Sequence, residues 1–132
     1  MTPPLLSALY AGLNALILLW LTVAVIRRRG ALKLSLGDGG NRDMERVIRG
    51  HANAAETMPI ALILLALTEM TGAPSVAIHA AGLALTLGRL LHGLHFAAGG
   101  PGLFRLVGMA ATLLTISLLA LGLVAHSLAR LL

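Results

Sequence analysis

From Leu5 to Ile26 the chain runs without a charged residue, and that stretch does most to decide its fold. The hydrocarbon core of a bilayer is about 30 Å thick and takes roughly 20 helical residues to cross, so this run is long enough to span it. A cleaved leader would have a shorter apolar core and then a small-residue cleavage site; this run ends instead in Arg27-Arg28-Arg29-Gly30. Three more apolar runs repeat the pattern. Together the four predict membrane-spanning helices over residues 5–26, 42–70, 75–97 and 103–128. Composition agrees: 132 residues that are 58% hydrophobic and only 11% charged carry too little polar surface for a soluble domain. The expectation is an all-α integral membrane protein, one four-helix bundle over residues 1–132 with no second domain.

The connections punctuate the runs. Residues 31–41 hold Lys33, Gly37, Asp38, Gly39 and Gly40 and read as a loop, with Asn41 or Asp43 placed to cap the second helix. Thr71-Gly72-Ala73-Pro74 predicts a tight connection, and Ala98-Gly-Gly-Pro-Gly102 a turn. Between Arg27 and Arg46 lie Arg28, Arg29, Lys33 and Arg42 as well, whereas residues 71–75 carry no cation. Positive charge is retained on the cytoplasmic side, so the first loop is expected inside and both termini outside. The net charge of +5 therefore reads as topology and site chemistry. With 3% aromatic residues there is no stacking platform, and no nucleic-acid partner is expected.

The second helix carries a feature of a different kind. Arg42, Arg46, Arg49, Asn53 and Glu56 repeat at intervals of four and three, which places them within an arc of roughly 80° on a helix. Such spacing normally marks an apolar stripe; here it is polar and leads straight into Ile60–Thr68. Ionisable groups at membrane depth are costly and usually face a protein interior or a watery cavity. Arg28, Arg89, His92 and Arg105 fall in the same leaflet on the other helices, so one site opening to the cytoplasm is expected. Arginines recognise carboxylates bidentately, an amide such as Asn53 serves a peptide-like group, and Glu56 suits an ammonium group or holds an arginine. A guanidinium such as Arg105 also lowers the pKa of a nearby thiol. The chain has no cysteine, so that thiol must arrive with a ligand.

Structural explanations compete for several of these residues. Arg27–Arg29 serve as topology determinants, Arg42 and Arg46 as interfacial side chains whose stems snorkel, and Arg49 with Glu56 as an internal pair fixing helix register. Glu69 and His79 fall near the outer surface and read as interfacial, while His51 points away from the stripe toward a neighbouring helix or loop. No metal site is expected, because His92 and His95 have no carboxylate near them in the third helix.

The segment Glu45-Arg46-Val-Ile-Arg49-Gly-His51-Ala-Asn53-Ala-Ala-Glu56-Thr-Met-Pro59 resembles the second-helix signature of the MAPEG proteins, the membrane-associated proteins in eicosanoid and glutathione metabolism. Arg89-Leu-Leu-His92 and Arg105-Leu-Val-Gly108 add to the likeness, as does Gly-Asp-Gly-Gly before the second helix, a feature of the short bacterial members. The resemblance implies a homotrimer in a bacterial inner membrane, with glutathione as cosubstrate bound between subunits near the cytoplasmic face. It implies that Arg49, Asn53 and Glu56 bind glutathione and that Arg105 stabilises its thiolate. It adds Arg28, Arg89 and His92 as further contacts, and a lipophilic small molecule as the second substrate. The implied activity is that of a glutathione-dependent transferase or peroxidase. The chain departs from well-studied members at Ala52, where they have an arginine, at Phe96 for a tyrosine, and at Leu106 for a serine. The last two remove hydroxyl donors near the sulfur. Two other classes stay open: a non-catalytic binder of glutathione or another anionic ligand, and a structural trimer locked by its polar stripe.

Overall fold

A computed structural model describes residues 3–132; Met1 and Thr2 lie outside the described residues. Four helices succeed one another: α1 (Leu5–Leu32), α2 (Arg42–Met70), α3 (Ser75–Ala98) and α4 (Gly102–Leu131). Each is long and apolar enough to cross a membrane. The largest departure from the sequence reading is at α1, expected to stop at Ile26. It continues through Arg27–Arg29 and Gly30 until Lys33 turns left-handed at φ 53°, where the Leu34 N–H donates to the Arg29 carbonyl. Arginine is a good helix former, and cations suit the negative end of the helix dipole. The apolar run ended there; the helix did not. At the far end of the chain α4 likewise outruns its expected limit of Leu128 by three residues.

Asn41 supplies the cap of α2, its side-chain oxygen accepting from the Met44 N–H, and Asp43 and Glu45 occupy the first turn, where negative charge is favoured. Pro59 is carried inside that helix. α3 and α4 each begin directly after a proline, Pro74 and Pro101, whose fixed φ suits a helix entry. His95 secures the turn between them: its Nδ1–H donates to the Gly100 carbonyl at 2.8 Å.

The helices do not form a square. α2 and α3 touch each other and both flanking helices, whereas α1 and α4 make no contact. The bundle is thus a rhombus with α2 and α3 on its short diagonal. One apolar cluster joins Tyr10, Leu65, Ile78 and Leu119 at the end away from the arginines, and a second joins Leu21, Ala54 and Met58 nearer to them. α3 and α4 cross backbone against backbone. A Cβ built on Gly108 would lie 2.8 Å from the His92 backbone nitrogen and 2.9 Å from its Cβ, and one on Gly88 would lie 3.0 Å from the Gly108 carbonyl. Only glycine permits that crossing.

α1 is attached by polar contacts along its length. Glu69 accepts from the Leu6 and Ser7 N–H groups and from the Ser7 hydroxyl, at 3.0, 2.7 and 2.6 Å. Pro4 offers α1 no side-chain cap, so a carboxylate from α2 fills that role. Tyr10 and His79 share a hydrogen bond at 2.8 Å, and fully buried Asn14 donates to Thr86 at 2.8 Å. Nearer the arginines, Thr22 gives its proton to the Leu18 carbonyl and therefore accepts from His51 Nε2–H at 3.1 Å. Glu69 and His79, expected to be interfacial, thus also tie α1 to its neighbours.

Candidate functional site

At the basic end of the bundle, α2, α3 and α4 enclose a cavity of about 320 Å³ lined by Arg49, Asn53, His92, Phe96, Arg105 and Met109. This lies within the usual size range of small-molecule pockets. Two residues come from each helix, and each pair is four apart on its own helix, which turns both side chains to one face. Four residues singled out from sequence, Arg49, Asn53, His92 and Arg105, therefore meet on one wall. The Gly88–Gly108 crossing lets α4 approach closely enough to bring Arg105 to that wall.

The electrostatics are one-sided. Arg49 and Arg105 are exposed, and among the described residues neither makes an ion pair or hydrogen bond within the chain. Between those residues the single ion pair is Arg46 with Asp43 at 3.8 Å, one turn nearer the loop. The guanidinium of Arg105 stands 6.0 Å from the centre of the Phe96 ring, and Phe96 packs against His92 with ring centres 4.7 Å apart. Phe96 in turn rests on Gly50, where a Cβ would fall 2.9 Å from the Phe96 Cγ. The aromatic wall is thus fixed by a glycine one residue after Arg49.

The other three candidates lie elsewhere. Arg89 is 1% exposed and sits behind the cavity wall, donating to Asn53 Oδ1 at 2.9 Å and to Thr57 Oγ1 at 3.1 Å. Glu56 is exposed one turn beyond Asn53, outside the cavity lining and unpaired with Arg49. Arg28 lines a separate groove of about 360 Å³ with Trp20, Arg27, Val47 and Ala98. Sequence reasoning did not single out Met109, which closes the cavity from α4; its spacing of four from Arg105 was the available signal. Of the two departures from hydroxyl-bearing residues, Phe96 forms part of the wall, while Leu106 points outward at 67% exposure.

Chemically the arrangement can accommodate an anion. Two unpaired guanidinium groups, an amide and an imidazole surround a half-apolar cavity, and no carboxylate lines it. The chain has recognisable relatives. The family model described as MAPEG family matches residues 7–125. The Inner membrane protein YecN of Escherichia coli, from strains K12 and O6:H1, is 42% identical over 88 residues, which cover 67% of this chain and 67% of the relative.

Proposed function

The chain belongs to the MAPEG family, and from that premise we propose that it is a glutathione-dependent transferase or peroxidase acting on lipophilic electrophiles that enter from the bilayer. One observation carries this reading: Arg49, Asn53, His92 and Arg105 converge on one cavity without a neutralising carboxylate. Glutathione offers two carboxylates, amide groups, an ammonium and a thiol. Arg49 suits a carboxylate, Asn53 an amide or carboxylate oxygen, and Glu56, one turn deeper, the ammonium. The chain has no cysteine, so the nucleophilic sulfur is the ligand's, and Arg105 holds the negative charge that forms on it.

The assembly proposed is a homotrimer with the ligand between subunits. Arg28 and Glu56 stand outside the cavity of their own protomer, and a neighbouring copy is how such residues would reach one ligand. A second reading, a binder without turnover, is favoured by a specific absence: the cavity lining contains no hydroxyl group, because Phe96 stands where a donor would help. Binding and turnover therefore need separate assays. Arg49→Ala and Glu56→Gln are expected to weaken glutathione binding by roughly tenfold or more each, the loss of a charge-assisted hydrogen bond, while the oligomer keeps its elution position. Unchanged isotherms would reject the site. Collapse of the oligomer in both variants would instead favour the structural trimer, since a buried charge would then have lost its partner.

Orientation belongs to the same proposal. The basic end faces the cytoplasm, both termini lie outside, and the inner membrane named for the Escherichia coli relative is the compartment proposed here. A periplasm-active reporter fused after Leu132 should be active and one inserted at Gly39 silent. The reverse pattern would put the site on the wrong face.

A further inference from the structure

Arg89 is the most deeply buried charge in the bundle, and every group it contacts is neutral. Its Nη1 donates to Asn53 Oδ1 at 2.9 Å and Thr57 Oγ1 at 3.1 Å, its Nη2 reaches the Gly108 carbonyl at 3.5 Å, and Met109 Sδ lies 3.9 Å away. Its Nε is buried without a partner. Thr57 has already given its proton to the Asn53 carbonyl at 2.7 Å, so its oxygen can only accept from Arg89. A guanidinium has no acceptor, which fixes the Asn53 amide: Oδ1 must face Arg89, and Nδ2 is left on the cavity side. A desolvated cation with only neutral partners is under-compensated, and two of those partners, Asn53 and Met109, line the cavity.

We infer that Arg89 is a positioning residue and not a ligand contact: it locks Asn53 as a hydrogen-bond donor and places a buried positive charge behind the cavity that an anion in the cavity completes. The Asn53 position then takes an oxygen acceptor, such as a carboxylate, and rejects an ammonium. The inference rests on the proposed function for the identity of the natural anion; the donor lock and the charge do not depend on it.

Inorganic sulfate separates the two questions, because all its oxygens accept. Detergent-purified protein is melted at constant ionic strength while millimolar sulfate replaces chloride, and separately with glutathione. Sulfate is expected to raise the wild-type melting temperature saturably. Arg89→Met should shift the sulfate midpoint upward by roughly tenfold or more, and Arg89→Lys, which keeps the charge, should retain part of the response. An Arg89 that serves packing alone would lower the melting temperature when changed and leave the sulfate midpoint where it was; that result overturns the inference. Should Arg89→Met fail to fold, Asn53→Asp decides. Its carboxylate pairs with Arg89, so the ligand-free protein should melt higher and lose its sulfate response, whereas a wild-type response would overturn the inference. Wild-type protein indifferent to sulfate overturns it too. Protein that responds to sulfate but not to glutathione keeps the inference and loses the proposed function.

Discussion

Replacing Arg105 by alanine is expected to cut turnover at neutral pH by about 25-fold or more while leaving most of the glutathione affinity in place. The magnitude comes from ionisation. A free thiol with a pKa of about 8.5 is roughly 3% thiolate at pH 7; a guanidinium within about 4–6 Å that lowers the pKa by about two units raises this to roughly three quarters. Arg105 is exposed to the cavity beside Phe96, makes no ion pair or hydrogen bond among the described residues, and has no hydroxyl group beside it in the cavity lining to share the task. Affinity survives because Arg49 and Asn53 remain. The pH profile is the sharper readout. A lowered thiol pKa helps between that value and the unperturbed one, so the deficit of the alanine variant should shrink as pH rises past about 8.5. Arg105→Lys keeps the charge without the planar fork and should lie between the two. An alanine variant with full thiolate absorbance and full turnover at neutral pH would remove Arg105 from the mechanism.

The largest effect on stability is expected at Gly108. An alanine there brings a methyl group to 2.8–2.9 Å from His92 backbone and Cβ atoms, which cannot swing away as a flexible side chain would. Overpacking of this kind costs typically about 1–3 kcal/mol, and here α3 and α4 must separate to relieve it. Separation also moves Arg105 away from His92 and Phe96, so activity should fall further than stability alone accounts for. Gly122 on the same helix is the internal control, since a Cβ there meets nothing within 4 Å. Gly122→Ala should be neutral or stabilise by roughly 0.5–1 kcal/mol through helix propensity. Denaturation by graded detergent mixtures would rank the two variants, and equal stabilities would show that the crossing tolerates side chains.

The helices were legible in sequence because each apolar run is bounded by residues with a local meaning: Asn41 as a cap, Gly99 as a left-handed stop at φ 74°, Pro74 and Pro101 as entries. Arg49 and Asn53 were legible as a pair because α2 is amphipathic at its basic end, so spacing reports facing. Arg89 was not. On a helix apolar nearly all round, periodicity cannot say whether a lone cation points inward or toward a neighbouring subunit. Its burial behind Asn53 depends on Thr57 and Gly108 arriving from two other helices. The role of Glu69 was hidden for a related reason: which distant carboxylate serves the start of α1 depends on how the chain folds back.

The contacts that hold α1 also decide how it is seated during assembly. Lipid tails give apolar helices no hydrophobic reason to associate, so the face and depth at which α1 docks are set by Ser7, Tyr10, Asn14 and Thr22 meeting Glu69, His79, Thr86 and His51. A slip by a single turn, about 5.4 Å, would break all four meetings together. With α4 out of reach, no neighbour on that side steadies α1 while it searches. The berth of α1 is thus built jointly by α2 and α3, and a slipped α1 would keep none of these contacts.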